Sequence, residues 1–208
     1  MADKIALITG SSSGFGLLTS IELAKAGFHV VATMRDFARR DRLDQAASAA
    51  GVAARIDIRG LDVTKFDSIP GFMDSVLRDY GRVNVLVNNA GFAVAGFAED
   101  IKLEELRLQF ETNFFGAVAM TKAVLPPMRR QRSGHIIQVS SIVGLLGSVT
   151  VSSYAASKHA LEGWSESLRL ELNALGIKVV LVEPGAFQTG IWKRGAVMGE
   201  QAIKSTSP

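Results

Sequence analysis

Two residues four positions apart, Tyr154 and Lys158, offer acid–base chemistry. They lie in Tyr-Ala-Ala-Ser-Lys, and on a helix this spacing places the phenol and the ammonium group on one face. A phenol titrates near about pH 10, but a neighbouring cation favours the phenolate and lowers its pKa toward the range in which it can exchange protons. The pair alone is weak evidence, because any amphipathic helix can contain one.

A serine ahead of this helix would complete a proton-transfer site. Ser141 follows the strand predicted at Ile136–Val139, and ligands bind at the carboxyl ends of strands in parallel α/β sheets. Its hydroxyl could hold a substrate oxygen while Tyr154 exchanges its proton. Ser140 is the adjacent alternative, although strand alternation would point it to the opposite side. Either serine could instead cap a turn.

Asn113 is the fourth candidate. It lies in Glu-Thr-Asn-Phe-Phe-Gly, within a predicted helix and shortly before Gly116. Both residue types are unfavourable inside helices. The segment therefore indicates a local kink or a water-binding role, and a solvated asparagine is the alternative.

A glycine-rich loop follows the first strand-like run. Its glycines are Gly10, Gly14 and Gly16, and it opens directly into a helix. Glycine allows a sharp turn and a close approach of phosphate to the backbone, and the helix N-terminus offers free N–H groups to a pyrophosphate. The placement favours dinucleotide binding, whereas a flexible Ser/Gly turn is the alternative.

The choice of cofactor depends on the end of the second strand. An acidic residue there would hold the ribose 2′-hydroxyl of NAD, whereas an arginine suits the 2′-phosphate of NADP. Arg35 comes directly after the apolar strand end Met34, and Asp36 follows. We therefore predict that NADP(H) is preferred and that NAD(H) is possible; Asp36 could equally be a helix N-cap.

Along the chain, six strand-like runs alternate with segments of helical period, which is typical of repeated βαβ units. The runs are Ile5–Thr9, Phe28–Thr33, Ala54–Gly60, Val83–Val87, His135–Val139 and Ile177–Val182. They are apolar throughout, as expected when helices cover both faces of a parallel sheet. We predict one doubly wound α/β domain over residues 1–208, with a long helix from about Leu103 to Met128 ended by Pro126-Pro127.

Composition excludes several other classes. The 23 Lys+Arg and 20 Asp+Glu give a net charge of only +3, which does not favour a nucleic-acid partner. Cysteine is absent, so thiolate catalysis and disulfides are excluded. The histidines, His29, His135 and His159, lack metal-ligand spacing, and we predict no metal site. No signal peptide or membrane span is evident, and we predict a cytoplasmic location.

Together these motifs resemble the short-chain dehydrogenase/reductase family, in its short single-domain branch. The resemblance covers nearly the whole chain. The loop Thr9–Gly16 is similar to the family's cofactor fingerprint, and Asn113, Ser141, Tyr154 and Lys158 fall on its catalytic tetrad in order and spacing. The segments around Arg35 and the loop after Pro184 are similar to hydroxysteroid- and retinol-type members.

The resemblance implies a Rossmann-type sheet of order 3-2-1-4-5-6 and an oxidoreductase that moves a hydride between NADP(H) and an alcohol or carbonyl. Tyr154 would be the general acid/base, Ser141 would polarise the substrate, Lys158 would bind the nicotinamide ribose and lower the Tyr154 pKa, and Asn113 would hold a relay water. Besides Tyr154 and Lys158, the implied cofactor-binding residues are Gly10, Ser12, Ser13, Gly14, Phe15, Gly16, Arg35, Asp62, Val63, Asn89, Ala90, Gly91, Pro184, Gly185 and Thr189.

The sequence also gives general expectations about the substrate pocket and the oligomeric state. An apolar pocket for a lipophilic alcohol or ketone would be formed by Phe92, Val94, Phe97, Val143, Leu145, Leu146, Phe187 and Trp192. The family pattern implies a homodimer or homotetramer. Chains of this branch usually continue into a lid and a seventh strand, so we expect the seventh strand to be missing and the substrate lid to be incomplete. A non-catalytic dinucleotide sensor or scaffold is the alternative function.

Overall fold

The computed structural model describes residues 4–187, 191 and 196–198, and its centre is a six-stranded parallel sheet. The strand order is β3-β2-β1-β4-β6-β7, and all five pairings are parallel. With the short β5 set aside, this is the predicted order 3-2-1-4-5-6. The described strands are β1 (Ile5–Ile8), β2 (His29–Met34), β3 (Ile56–Gly60), β4 (Val85–Asn88), β5 (Ala93–Ala95), β6 (Gly134–Val139), β7 (Ile177–Val182) and β8 (Ala196–Met198).

Helices connect the strands and cover the sheet. They are α1 (Gly14–Lys25), α2 (Asp41–Ala49), α3 (Ile69–Tyr80), α4 (Leu103–Phe110), α5 (Gly116–Gln131) and α6 (Ser152–Asn173). One apolar core packs α3, α5 and α6 against one face of the sheet, and a second packs α1 and α2 against the other. Burial on both faces explains why the central strands β1, β2 and β4 are almost continuously apolar. The expectation that all the strands are apolar throughout is wrong for the edge strand β3, whose residues alternate as Ile-Asp-Ile-Arg and are only partly buried.

The predicted long helix differs from expectation at two places. A π-helical turn, Glu111–Phe115, separates α4 from α5, as the unfavourable residues Asn113 and Gly116 indicated. The predicted stop at the two prolines is wrong, because α5 contains Pro126 and Pro127 and continues to Gln131. Pro127 and Met128 are buried, so core packing outweighs the lost backbone hydrogen bonds.

A second, two-stranded sheet was not predicted. The short strand β5 pairs in parallel with β8, which brings the segment after β4 together with a segment well beyond β7. Three residues per strand are too few for hydrophobic periodicity to reveal. The pairing lies beside the helix α6, which β5 contacts.

The two sides of the sheet are covered unequally. On the α1/α2 side, Val180 and Val182 of β7 are 40% and 42% exposed. Within the described residues, the second core ends at β6 with the partly buried Ile137 and Val139. None of the described helices is long and apolar enough to cross a membrane.

Candidate active site

The end of β6 and the start of α6 bring the predicted acid–base residues together. The Tyr154 phenol is buried, and the Ser141 side chain lies near enough to its hydroxyl to affect its pKa, while Ser141 Oγ donates to the Pro184 carbonyl at 3.5 Å. Burial raises the pKa of Tyr154 above its ordinary value, and the Ser141 contact partly offsets that rise. Ser141 Oγ also accepts from Val143 N at 3.4 Å, so this serine caps a turn as well. Tyr154 is therefore a buried phenol with a second hydroxyl group close to its own.

Lys158 lies on the same face of α6 and is tied to the same strand end. Its Nζ donates to the Val139 carbonyl at 2.7 Å and lies 5.7 Å from the centre of the Tyr154 ring. Burial lowers the pKa of Lys158 from 10.5 to about 8, although the nearby charge of Glu162 raises it. The spacing of four residues thus places the phenol and the amine in one cavity, as predicted.

Asn113 lies in the π-helical turn, and its side chain bonds to residues next to this cavity. Its Oδ1 accepts from Phe92 N at 3.1 Å, and its Nδ2 donates to the Phe92 carbonyl at 2.9 Å and to Ser157 Oγ at 3.1 Å. Ser157 in turn donates to the Tyr154 carbonyl at 2.8 Å. The side chain therefore ties the segment after β4 to the helix that carries Tyr154 and Lys158.

The glycine loop is held against the end of β4 by four hydrogen bonds that join the Asn89 and Thr9 side chains to backbone groups. Asn89 Nδ2 donates to the Thr9 and Gly10 carbonyls, both at 2.9 Å, while Thr9 Oγ1 accepts from the backbone of Asn89 and Ala90. Gly10 has φ +72°, and a Cβ there would lie 2.8 Å from Ala90 Cα. At Gly16, a Cβ would collide with the Gly10 carbonyl. Larger residues at these two positions would therefore displace the loop.

The strand end beside this loop separates the roles of Arg35 and Asp36. Asp36 Oδ1 accepts from Ala38 N at 3.1 Å and so caps a short 3-10 turn, which was the alternative interpretation of this residue. Arg35 and Arg39 both line the groove above the loop. Two guanidinium groups thus border the groove where β2 ends.

Most predicted cofactor residues line one continuous region. The groove is bordered by Gly10, Ser12, Ser13, Gly14, Phe15, Arg35, Asp62, Val63, Asn89, Ala90 and Gly91. Tyr154, Lys158, Ser141, Pro184 and Gly185 line an adjoining cavity, and Phe15, Asn89 and Gly91 border both spaces. Gly16 does not line either space; it packs against the Gly10 carbonyl and the Asn89 side chain. Thr189 lies outside the described residues.

The predicted apolar pocket is formed only in part. Val143 and Phe187 line the cavity with Tyr154, and Phe15 contacts Phe187 edge-on with ring centres 5.5 Å apart. Val94 is instead a core residue, and Phe92 borders the cofactor groove. Phe97, Leu145 and Leu146 are exposed, and Trp192 lies outside the described residues. Ile142, Ala186 and Ile191 line the cavity without having been predicted.

Two supporting residues were missed from the sequence. Gln109 is fully buried and donates to the Phe92 carbonyl at 2.8 Å. It precedes Asn113 by four residues, so a polar pair on one helix face was the available signal. Ser157 lies inside the Tyr-Ala-Ala-Ser-Lys segment, but its link to Asn113 spans 44 residues and depends on the tertiary fold.

The glycine-loop groove and the cavity lined by Ser141, Tyr154 and Lys158 adjoin each other in a parallel α/β fold, and sequence comparison identifies the family. Residues 4–196 match the family model described as short chain dehydrogenase. The chain belongs to this family, which confirms the predicted enzyme class of short-chain dehydrogenase/reductase. A Bacillus subtilis relative named uncharacterized oxidoreductase YusZ is 50% identical over 192 residues, covering 92% of this chain and 68% of the relative. Human retinol dehydrogenase 8 is 44% identical over 191 residues, covering 90% of this chain and 60% of that protein.

Solved structures give the same family. One described as ElxO with NADP bound has a TM-score of 0.87 and 30% identity, covering 99% of this chain and 80% of that one. A short-chain dehydrogenase/reductase from Burkholderia phymatum, described in complex with NAD, has a TM-score of 0.85 and 29% identity, covering 92% and 69%. The chain thus spans roughly 60–80% of the length of these four proteins.

Proposed function

We propose that this protein is an oxidoreductase that transfers a hydride between NADP(H) and an alcohol or carbonyl substrate, with Tyr154 as the general acid/base. The observation that carries the proposal is the cavity that the buried Tyr154, Ser141 and Lys158 line together, which adjoins the glycine-loop groove. A protein that only binds a dinucleotide has no need of this phenol–serine–amine arrangement.

The groove fits a dinucleotide with a 2′-phosphate. The glycine loop, packed so closely that Gly10 and Gly16 have no room for a Cβ, leads into the N-terminus of α1, where backbone N–H groups suit a pyrophosphate. Arg35 and Arg39 supply positive charge where the 2′-phosphate would lie, while Asp36 caps its own turn. When bound, the nicotinamide supplies the hydride chemistry. Equal or tighter binding of NAD than of NADP would contradict the preference for NADP(H).

The roles of the four polar residues follow from their positions. Tyr154 donates its hydroxyl proton to the substrate oxygen in carbonyl reduction and accepts it in alcohol oxidation. Ser141 holds that oxygen, and the Lys158 ammonium stabilises the phenolate left behind. Asn113 Nδ2 donates to the Phe92 carbonyl and to Ser157 Oγ, so a relay water held by Asn113 would bind to its carbonyl oxygens and not to its side-chain N–H groups.

The proposed substrate is a lipophilic alcohol or ketone. Apolar side chains surround the polar pair in the cavity: Val143, Phe187, Ile142 and Ile191 together with Phe15. Such a lining binds apolar substrate carbon while the Ser141–Tyr154 pair orients its single polar group. The name of the human relative, retinol dehydrogenase 8, is in keeping with a lipophilic substrate class.

The test is the Tyr154→Phe substitution. We expect NADPH oxidation against a panel of aldehydes, ketones, steroids and retinoids to fall by about a hundredfold or more, because the proton donor is removed. NADPH affinity, measured by fluorescence titration, should stay within about twofold.

The matched control uses the other of the two tyrosines. Tyr80 is hydrogen-bonded to Asp57 and His29 between α3 and the strands β2 and β3. Tyr80→Phe should therefore keep turnover, so a loss in both variants would point to the fold and not to the acid/base. Retained turnover in Tyr154→Phe would exclude Tyr154 as the acid/base. Firm cofactor binding with no turnover of any substrate in the wild-type protein would favour the sensor function.

A further inference from the structure

Glu162 is a buried carboxyl group that the proposed reaction does not use. It lies on α6, four residues after Lys158 and eight after Tyr154, and is only 6% exposed. Its Oε1 makes no hydrogen bond of good geometry with any described residue, and the same holds for Ser140 Oγ, which faces it. A buried carboxylate without full hydrogen bonding is costly unless a compensating charge lies near it.

Lys158 supplies the compensating charge. Residues four apart on a helix share one face, and Lys158 is itself 4% exposed. The attraction acts in both directions: the Lys158 ammonium lowers the pKa of Glu162, and the Glu162 carboxylate raises the pKa of Lys158. The two groups do not form a contact ion pair, but their attraction acts over a longer distance here because burial weakens the screening of charges by solvent.

The other groups around Glu162 come from three elements. Burial is the largest influence and raises the pKa of Glu162; the Ser140 side chain at the end of β6 lowers it. Glu183, just after β7, and Glu166, one turn further along α6, raise it by charge repulsion. No group of three such side chains is arranged to hold a metal ion in the part of the chain that the structure describes. The carboxylate therefore depends on Lys158 and Ser140.

The backbone leaves space for this carboxylate at Gly144. A Cβ at Gly144 would lie 2.8 Å from Ser140 Oγ and 3.2 Å from Glu162 Oε1. The turn after Ser141 thus closes directly against the carboxyl group. Three successive residues at the end of β6 each interact with a different turn of α6. The Val139 carbonyl accepts a hydrogen bond from Lys158, the Ser140 side chain lies beside Glu162, and the Ser141 side chain lies beside Tyr154.

We propose that Glu162 is a positioning residue that keeps the buried Lys158 side chain as an ammonium ion, through the charge of a carboxylate set one helical turn away between Ser140 and Gly144. The inference rests on the proposed function, because the ammonium matters only if Tyr154 exchanges protons. It adds a residue that touches neither substrate nor cofactor and acts through Lys158.

The direct test measures Lys158 itself, without cofactor or substrate. The side-chain resonances of protein labelled with ¹³C at the lysine ε carbon are followed by NMR across pH, and Lys158 is assigned by its absence from Lys158→Arg. In wild-type protein we expect a pKa of about 8. In Glu162→Gln and Glu162→Met the Lys158 pKa should fall by about one unit, because both variants remove the opposite charge. The two variants differ in hydrogen-bonding capacity, so a shift common to both reports the loss of charge.

Two further variants control for changes in shape and for general surface charge. Glu162→Asp keeps the charge and should leave the Lys158 pKa much nearer to the wild-type value. Glu166→Gln removes an exposed carboxylate from the same helix face and should shift the Lys158 pKa far less than Glu162→Gln does. An unchanged Lys158 pKa in the two neutral Glu162 variants, or an equal shift in Glu166→Gln, would overturn the proposal.

Turnover provides a second readout that a purely structural role would not move. Removing the Glu162 charge lowers the pKa of Lys158, so the ammonium ion that stabilises the Tyr154 phenolate is lost at a lower pH. The alkaline limb of kcat/KM for carbonyl reduction should therefore shift to lower pH in Glu162→Gln, by about one unit. Glu162→Asp should restore it. If the enzymatic proposal fails, Tyr154→Phe keeps its turnover, whereas the NMR shift of Lys158 would still decide the role of Glu162.

Discussion

At the scale of single residues, Lys158 combines a positive charge with nearly complete burial, and this affects stability. Its pKa is about 8 in the folded protein, whereas the unfolded chain has the ordinary lysine value of 10.5. Between these pH values the unfolded chain binds more protons than the folded protein, so the free energy of unfolding rises with pH across that window. Below about pH 8 the buried charge destabilises the fold by its full amount.

Lys158→Met removes this titration and makes the effect measurable. We expect wild-type protein to gain stability relative to Lys158→Met between about pH 8 and pH 10.5, by at most about 3 kcal/mol, since each unit of pKa shift corresponds to about 1.4 kcal/mol. Urea unfolding of both proteins at a series of pH values gives the difference. A difference that is constant with pH would show that Lys158 titrates alike in folded and unfolded protein.

The site residues that the sequence predicted are those whose spacing follows from one helix or one turn. Tyr154 and Lys158 share a helix face by their spacing alone, and Ser141 follows a strand that apolar residues reveal. Glu162 could not be recognised in this way, because a glutamate in a helix is usually solvated. Its importance depends on Ser140 and Gly144, which only the packing of α6 against β6 brings to it.

At the scale of elements, the end of α5 is strained at one residue. Arg132 has φ 49° and ψ 32° at the C-terminus of the helix, in the left-handed region where a Cβ is unfavourable. Arg132→Gly should raise the free energy of unfolding by about 0.5–1 kcal/mol, the net of the relieved strain and the greater freedom of glycine in the unfolded chain.

Chemical denaturation of three proteins tests this prediction. Arg132→Ala removes the same exposed side chain but keeps the Cβ, so it should show no comparable gain. If the alanine and glycine variants are equally stable, the left-handed backbone carries no strain and the prediction fails.

The same helix shows where local sequence patterns stop being sufficient. Apolar residues predicted all six strands of the main sheet, although only the central strands are buried on both faces and the edge strand β3 alternates between apolar and charged residues. Pro126 and Pro127 were misread as a helix end, since a local rule about proline cannot include the burial of Pro127 and Met128 in the core. The β5–β8 pairing joins residues about a hundred positions apart, and neither strand has a pattern of its own.

At the scale of the whole molecule, two of the exposed apolar surfaces among the described residues lie on opposite sides of the sheet. One is formed by α4, the π-helical turn and α6, with Phe115 at 44% and Leu170 at 81% exposure. The rings of Phe114 and Trp164 pack edge-on at 6.4 Å and hold these elements side by side. The other surface contains Val180 and Val182 on β7. Exposed apolar surface of this kind is typical of association sites.

We expect the helical surface to form the homodimer, because long helices offer a rigid and specific apolar face, whereas an open sheet face promotes less specific association. Phe115→Glu combined with Leu170→Glu should therefore reduce the mass measured by sedimentation velocity from that of a dimer to that of a monomer.

Leu18→Glu places the same charge on an equally apolar, exposed position of α1 and should leave the dimer intact. Val180→Lys combined with Val182→Lys should lower only concentration-dependent aggregation. A monomeric wild-type protein, or dissociation caused by the valine substitutions instead, would contradict this assignment of the interface.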